Sequence, residues 1–234
     1  MRLLLIRHGQ TPNNVAGALD TAFPGAGLTA LGQAQAKAIP DVLAGETIAG
    51  IYASPLVRTQ LTAEPLAQVR ELDVSVRAGL EEIPAGAFEL QSDTDAVEAY
   101  VGCVARWMQG DLDHGLPGGT TGHEFIGRYG AALRTIAVEH DADDTVVVFS
   151  HGAAIRVYTA LAAKLDPEVA TELRLMNTGM SVLDGHPESG WELARWSTEP
   201  LGGLALEDRG AHDVTGESAD EAIDEAIDEA IDEA

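Results

Sequence analysis

Apolar positions fall into two patterns along the chain. Short, nearly unbroken apolar runs appear at residues 2–6 (RLLLI), 50–54 (GIYAS) and 145–150 (TVVVFS), LDVSV at 72–76 alternates, and all four read as strands of a sheet covered on both faces. Between them apolar residues recur at helical spacing. A helix is predicted at TALGQAQAKAI, capped by Thr29, with Leu31, Ala34, Ala38 and Ile39 on its inner face and Pro40 interrupting or ending it. A second runs from Pro55, with proline at its first position, and a third, AAIRVYTALAAKL, follows the fourth strand. Near the end, MSVLDG and WELARW alternate as an edge hairpin. The order of elements predicts an α/β fold: a three-layer sandwich with a mainly parallel central sheet and helices on both faces.

Residues 90–119 break this rhythm. A helical stretch, DAVEAYVGCVARWM, is followed by the loop GDLDHGLPGGTTG, as expected of a helical lid insertion. Trp107 and Met108 within it suit either a hydrophobic leaving group or simple packing. From Thr121 a further helix places Phe125, Ile126, Tyr129, Leu133 and Ile136 on one apolar face. The body is expected to span residues 1–199 as one domain, followed by a linker at 200–219. An acidic DEAI-repeat tail at 220–234 repeats Asp and Glu at i,i+4, so like charges repel at each step and disorder is expected.

Charge narrows the function classes. The net charge is −24, and the stretch from Ala205 onward holds twelve acidic residues against Arg209 alone. The remaining body is still acidic, which argues against nucleic-acid binding, where basic groups must displace counterions from phosphates. No apolar run is long enough for a membrane span, and no secretory leader pattern is present, so a cytoplasmic location is expected. The lone Cys103 excludes an internal disulfide framework and fits a reducing compartment. Lys37 and Lys164 are the two lysines, so an anion site here would be built from arginine.

The strand ends carry the chemistry. The first ends in Arg7-His8-Gly9, the second runs through Ser54-Pro55 to Arg58, and the fourth ends in Ser150-His151-Gly152. In an open parallel sheet these emerge at one edge, where ligands bind. Arginine forks and helix N-termini favour a phosphoryl group, and a neutral imidazole beside them can attack phosphorus. The glycines after each histidine let a ligand approach the backbone. LEEIPAGAFE, residues 80–89, supplies carboxylates for proton transfer.

RHG, LTALGQAQA, ASPLVRTQLTAEPLA, LEEIPAG and SHGAAIRV stand in the order seen in the histidine phosphatase superfamily, and the chain resembles its phosphoglycerate-mutase-like branch over about residues 2–185. The resemblance implies that His8 is the nucleophile that becomes phosphorylated, that Arg7, Arg58 and His151 clamp the phosphate, and that Glu82 rather than Glu81 is the proton donor, with a raised pKa. It implies a phosphate contact at Asn14, with Gln10, Thr11 and Gly152 completing the site. It implies no metal and no cofactor; His114, His123 and Glu124 lack ligand spacing. Two departures stand out. ALDTAFPGAGLT is longer than the usual connection, which remodels one rim of the site, and PGGTTGHEF replaces the frequent PGGES, putting Thr120 and Thr121 where glutamate and serine are expected.

Three functions follow, in order of preference. The first is a phosphatase acting on a small phosphorylated metabolite, a phosphate monoester. A phosphoglycerate mutase ranks lower, because residues 90–119 hold Arg106 as their one base beside five acids, too few to bind a second anionic group. Last is a non-catalytic phosphate-binding protein that uses the acidic tail as its contact surface. The edge hairpin is a hint of a homodimer, and the partner of the tail, if it has one, is not readable.

Overall fold

The computed structural model describes residues 1–208, 210–218, 221–224 and 227. Six strands form one sheet in the order β3-β2-β4-β1-β5-β6. They are β1 (Arg2–Arg7), β2 (Ile48–Ala53), β3 (Val74–Val76), β4 (Thr145–Ser150), β5 (Met180–His186) and β6 (Gly190–Ser197). β3, β2, β4 and β1 run parallel, while β5 and β6 add an antiparallel hairpin whose inner strand pairs with β1. The sheet is mixed and mostly parallel.

The helices are α1 (Pro12–Val15), α2 (Ala30–Val42), α3 (Val57–Arg70), α4 (Thr94–Met108), α5 (Gly122–Ala137), α6 (Gly152–Ala162) and α7 (Pro167–Thr171). Alternation along β1 explains why a wholly apolar strand forms: Leu4 and Ile6 face one core with Ile39 of α2 and Leu66 of α3, whereas Leu3 and Leu5 face the other with α4, α5 and α6. The leucines of both clusters are buried, and each leucine fully removed from water contributes ~1.5–3 kcal/mol.

Several elements differ from the sequence reading. Pro55 does not open α3: the helix starts at Val57, because Ser54 and Pro55 form the turn before it and the Ser54 hydroxyl accepts the Leu56 N–H at 3.3 Å. Pro40 lies inside α2, near its end, and the helix stops two residues later. The one-turn α1, unforeseen, is held by a capping box between Thr11 and Asn14. The inserted segment contributes a core helix. Val97, Tyr100, Val104, Trp107 and Met108 of α4 are buried in the main core, with Trp107 stacked on Phe125. Of the two explanations for Trp107 and Met108, the structure matches packing.

The stretch expected to be a linker packs onto the domain. Leu201 and Val214 are buried, His212 bridges to Ala16, and the Leu175 N–H donates to the Gly216 carbonyl at 2.7 Å. Of the DEAI tail, Glu221–Asp224 are helical and Ala222 is fully buried; Asp220, residues 225–226 and 228–234 lie outside the described residues.

Candidate active site

Strand register builds the site. Arg7 of β1 stands opposite Ser150 of β4, so the next residues, His8 and His151, emerge side by side at the carboxyl edge. Their rings are 5.3 Å apart and inclined at 60°. Ala53 of β2 pairs with Phe149, which brings Ser54 and the first turn of α3, with Arg58, to the same edge. The loop after β3 adds Glu82. These five groups, Arg7, His8, Arg58, Glu82 and His151, are each at most 2% exposed.

His8 Nδ1 lies 2.9 Å from the Gly9 carbonyl, an acceptor, so Nδ1 carries the proton and Nε2 keeps its lone pair. Burial, then Arg58 and Arg7, hold the His8 pKa well below its usual value, and the ring is neutral. His151 is neutral for the same first reason, with Arg58, His8 and Arg7 adding to it. Its Nε2 lies 2.7 Å from the Ser54 hydroxyl, and its Nδ1 has no partner.

Glu82 closes the start of α6. That helix begins at Gly152 without a side-chain cap from its N-cap residue, His151. Instead the Glu82 carboxyl accepts the N–H groups of Ala154 at 2.8 Å and Ala153 at 3.2 Å, and of Ile83 at 2.9 Å. Those bonds and the two arginines favour the carboxylate, but burial outweighs them and raises the pKa above the ordinary value. Gly152 must be glycine: a Cβ there would stand 2.4 Å from the Thr215 carbonyl and 3.0 Å from Arg7 Nε.

Both arginines are already bound to carboxyl groups of the chain. Arg58 Nη2 donates to the Asp20 carbonyl at 2.7 Å, with Nη1 3.5 Å from its carboxylate. Asp20 belongs to the lengthened stretch after α1, which Glu89 ties down through the N–H groups of Thr21 and Ala22 and the Thr21 hydroxyl. Arg7 is held by Asp213 from the C-terminal segment. Asn14 reaches the same carboxylate with Nδ2 at 3.1 Å, while its Oδ1 is taken by Thr11 and Asn177.

The remaining sequence candidates serve the frame. Gln10 bonds Asp208 and the Thr29 hydroxyl, and Thr11 caps α1. Ser54, Asp20, Asp213 and Thr215 belong to the site; Ser54 was named at its strand end but given no role, and the other three were not singled out from the sequence. Ser54 had a signal, its place at a strand end beside Arg58; the others sit in stretches without local pattern.

A cleft of about 890 Å³ adjoins Glu82. Its lining includes Thr21, Ala22, Pro84, Glu89, Thr120 and Arg128. Its acids are Glu81, Glu82 and Glu89, and its one base, Arg128, is paired with Glu81 at 2.8 Å. Among the described residues no group of three His, Cys, Asp or Glu side chains is disposed to hold a metal, and no helix is long and apolar enough to cross a membrane.

The chain and its fold are similar to known proteins. The family model of the histidine phosphatase superfamily (branch 1) matches residues 3–199. The PE-PGRS family protein PE_PGRS11 of Mycobacterium tuberculosis is 39% identical over 216 residues, 86% of this chain, which spans only 37% of that protein. The probable phosphoglycerate mutase GpmB of Salmonella choleraesuis is 29% identical over 91% of this chain and 98% of its own length. Among solved structures, the mycobacterial glucosyl-3-phosphoglycerate phosphatase superposes with a TM-score of 0.71 at 26% identity, covering 85% of this chain and 99% of that one.

Proposed function

The chain belongs to branch 1 of the histidine phosphatase superfamily, and on that footing we propose that it hydrolyses small phosphate monoesters through a phosphohistidine at His8, without a metal. The observation that carries the reading is the free Nε2 of a neutral His8, fixed by its Nδ1–H bond to Gly9 and set beside two buried arginines. Arg7, Arg58, Asn14 and the unpartnered Nδ1 of His151 are the phosphate ligands. His8 Nε2 attacks phosphorus while the bond to the leaving oxygen breaks, and Glu82 supplies the proton that oxygen takes up. Water then attacks the phosphohistidine and gives its proton to the Glu82 carboxylate. Inorganic phosphate leaves, His8 is neutral again and Glu82 is reprotonated. Positioning and charge stabilisation do most of the work in such a transfer.

Phosphatase is favoured over mutase by the cleft beside Glu82. A mutase must hold a second anionic group there, and Glu81, Glu82 and Glu89 repel it while Arg128 is engaged. The same feature favours an uncharged leaving group.

The test is chemical trapping. Incubation with a ³²P-labelled phosphate ester in chelator, followed by a rapid alkaline quench, should leave an acid-labile label on His8 and release inorganic phosphate. His8→Ala should lose both. Label or turnover retained in His8→Ala would remove the assignment, and turnover abolished by chelator would remove the metal-free mechanism.

A further inference from the structure

The clamp on Arg7 has a stoichiometry that matters. Its two terminal nitrogens carry four N–H bonds, and all four are used. Nη1 donates to Asp213 Oδ2 at 2.5 Å and to the Leu175 carbonyl at 2.8 Å; Nη2 donates to Asp213 Oδ1 at 2.5 Å and to the Thr215 hydroxyl at 2.8 Å. Asn14 Nδ2 donates to the same Asp213 Oδ1. Three of these five bonds end on one carboxylate, and two more partners of the guanidinium, Thr215 and Leu175, lie on or against the same C-terminal segment, since Leu175 N–H is bonded to Gly216. No terminal N–H of Arg7 is left for a phosphate oxygen.

A carboxylate in a guanidinium fork, with an amide donor beside it, is the bonding pattern a phosphate would use. Asp213 is also held in place as a ligand would be, at the first position of a turn over 213–216. Its backbone N–H is held by Glu217 at 2.8 Å, and the Gly216 N–H returns to its carbonyl at 2.9 Å. The turn is pressed against the start of α6, where only a glycine at 152 leaves room for the Thr215 carbonyl.

We propose that residues 210–218 are an intramolecular ligand of the phosphate site, in which Asp213 stands in for the substrate phosphate and must leave before phosphate can bind. The inference rests on the reading of Arg7 and Asn14 as phosphate ligands given above. It accounts for the complete burial of Arg7, whose guanidinium is covered by the segment it binds.

The segment is held mainly by polar bonds. His212, Val214, Glu217 and Ser218 are buried, Val214 being the one large apolar side chain among them, and hydrogen bonds and ion pairs on the segment and its flanks do most of the rest. They include Gln10 to Asp208 at 2.8 Å and the half-exposed pair of Arg174 with Glu221 at 2.9 Å. A gap of about 150 Å³ remains between segment and body, lined in part by Gln10, Asn177, Asp208 and Asp213. A segment with few apolar contacts opens locally at lower cost than a core strand or helix. Tethering sets its strength as a competitor: the carboxylate acts at an effective concentration on the order of millimolar.

The alternative is that Asp213 merely orients Arg7 for catalysis, and two measurements on the full chain separate the two. In the first, hydrogen exchange of residues 210–218 is followed in the wild-type protein with and without saturating inorganic phosphate. Displacement makes these amides exchange faster when phosphate binds; unchanged or slower exchange overturns the proposal. In the second, Asp213→Ala is assayed for ester hydrolysis and for inhibition by phosphate. Removing a competing internal ligand should lower KM and the phosphate Ki together, by about tenfold, because apparent affinity scales with the open fraction. A rise in both would make Asp213 a positioning residue and end the proposal. Should the variant not fold, the wild-type exchange decides alone. Phosphate that opens the segment without any ester being hydrolysed would count against the proposed phosphatase and leave this inference standing; hydrolysis with no opening does the reverse.

Discussion

Ser54 Oγ lies 2.7 Å from His151 Nε2, and both side chains are wholly buried. The same hydroxyl accepts the Leu56 N–H and lies 3.1 Å from the Thr59 hydroxyl, so its one proton goes either to Thr59 or to the imidazole. With Ser54 donating to Nε2, the proton of neutral His151 resides on Nδ1, the nitrogen that has no partner in the protein. In that arrangement the serine selects the tautomer that can donate to a ligand. Ser54→Ala should cost about 1–3 kcal/mol in denaturant unfolding, for a buried nitrogen left unsatisfied. It should also lower kcat/KM by about tenfold, the worth of one oriented hydrogen bond. Unaltered kcat/KM would show that the tautomer does not matter.

Glu82 and His8 titrate in opposite directions, and the rate should follow. Burial raises Glu82, so its protonated form persists above the usual carboxylate range, and hydrolysis of alkyl esters should decline as pH rises through that raised value. His8 must be neutral, and its pKa lies well below 6.5, so the acid limb falls well below that pH. Glu82→Gln should flatten the alkaline limb and slow alkyl esters by about 10²–10⁴-fold. p-Nitrophenyl phosphate, whose leaving group needs no proton, should lose far less. Equal losses on both esters would place the acid elsewhere.

The two histidines also shape stability. Each has a folded pKa below its unfolded value of 6.5, so the folded chain binds fewer protons than the unfolded one as pH falls below 6.5. Stability they confer at neutral pH is therefore lost on acidification from about that point down to their folded values. Urea unfolding at a series of pH values should show this slope, and His8→Asn with His151→Asn should reduce it. A slope untouched by both changes would assign the acid sensitivity to other groups.

The acidic cleft makes a charge prediction for substrates. Esters of uncharged alcohols should be hydrolysed at higher kcat/KM than 3-phosphoglycerate, whose leaving group carries a carboxylate, and the gap should narrow with added salt as repulsion is screened. Glu89 stands in that cleft, bonded to Thr21 and Ala22. A preference for the carboxylate-bearing ester would contradict this account of the cleft.

Much of this was legible from strand ends. The runs before Arg7, Ser54 and Ser150 are unmistakable as buried strands, parallel sheets align their carboxyl ends, and so His8, Arg58 and His151 had to converge. Glu82 followed from the resemblance, and its capping of α6 explains physically why that carboxylate points inward. What escaped was contact between distant stretches of poor local pattern. Asp213 lies in an acid-rich stretch that composition alone reads as solvated, and only the unpaired fork of Arg7 gives it a reason to fold back. Asp20 likewise has no periodic neighbours, and its partner Arg58 is 38 residues away. The start of α3 was misplaced because Pro55 suits a helix start in isolation, whereas here the preceding serine is committed to His151.

β1 lies between β4 and β5, and both of its neighbours come from the second half of the chain. Ribosomal synthesis delivers residues in order, so the strand that leads into His8 is made before both of its neighbours and cannot be hydrogen-bonded along both edges until Asp184 has emerged. Contacts of such long sequence separation close slowly. Asp213 is made later still: on a growing chain, Arg7 and Asn14 meet their carboxylate only after the sheet around them has zipped shut.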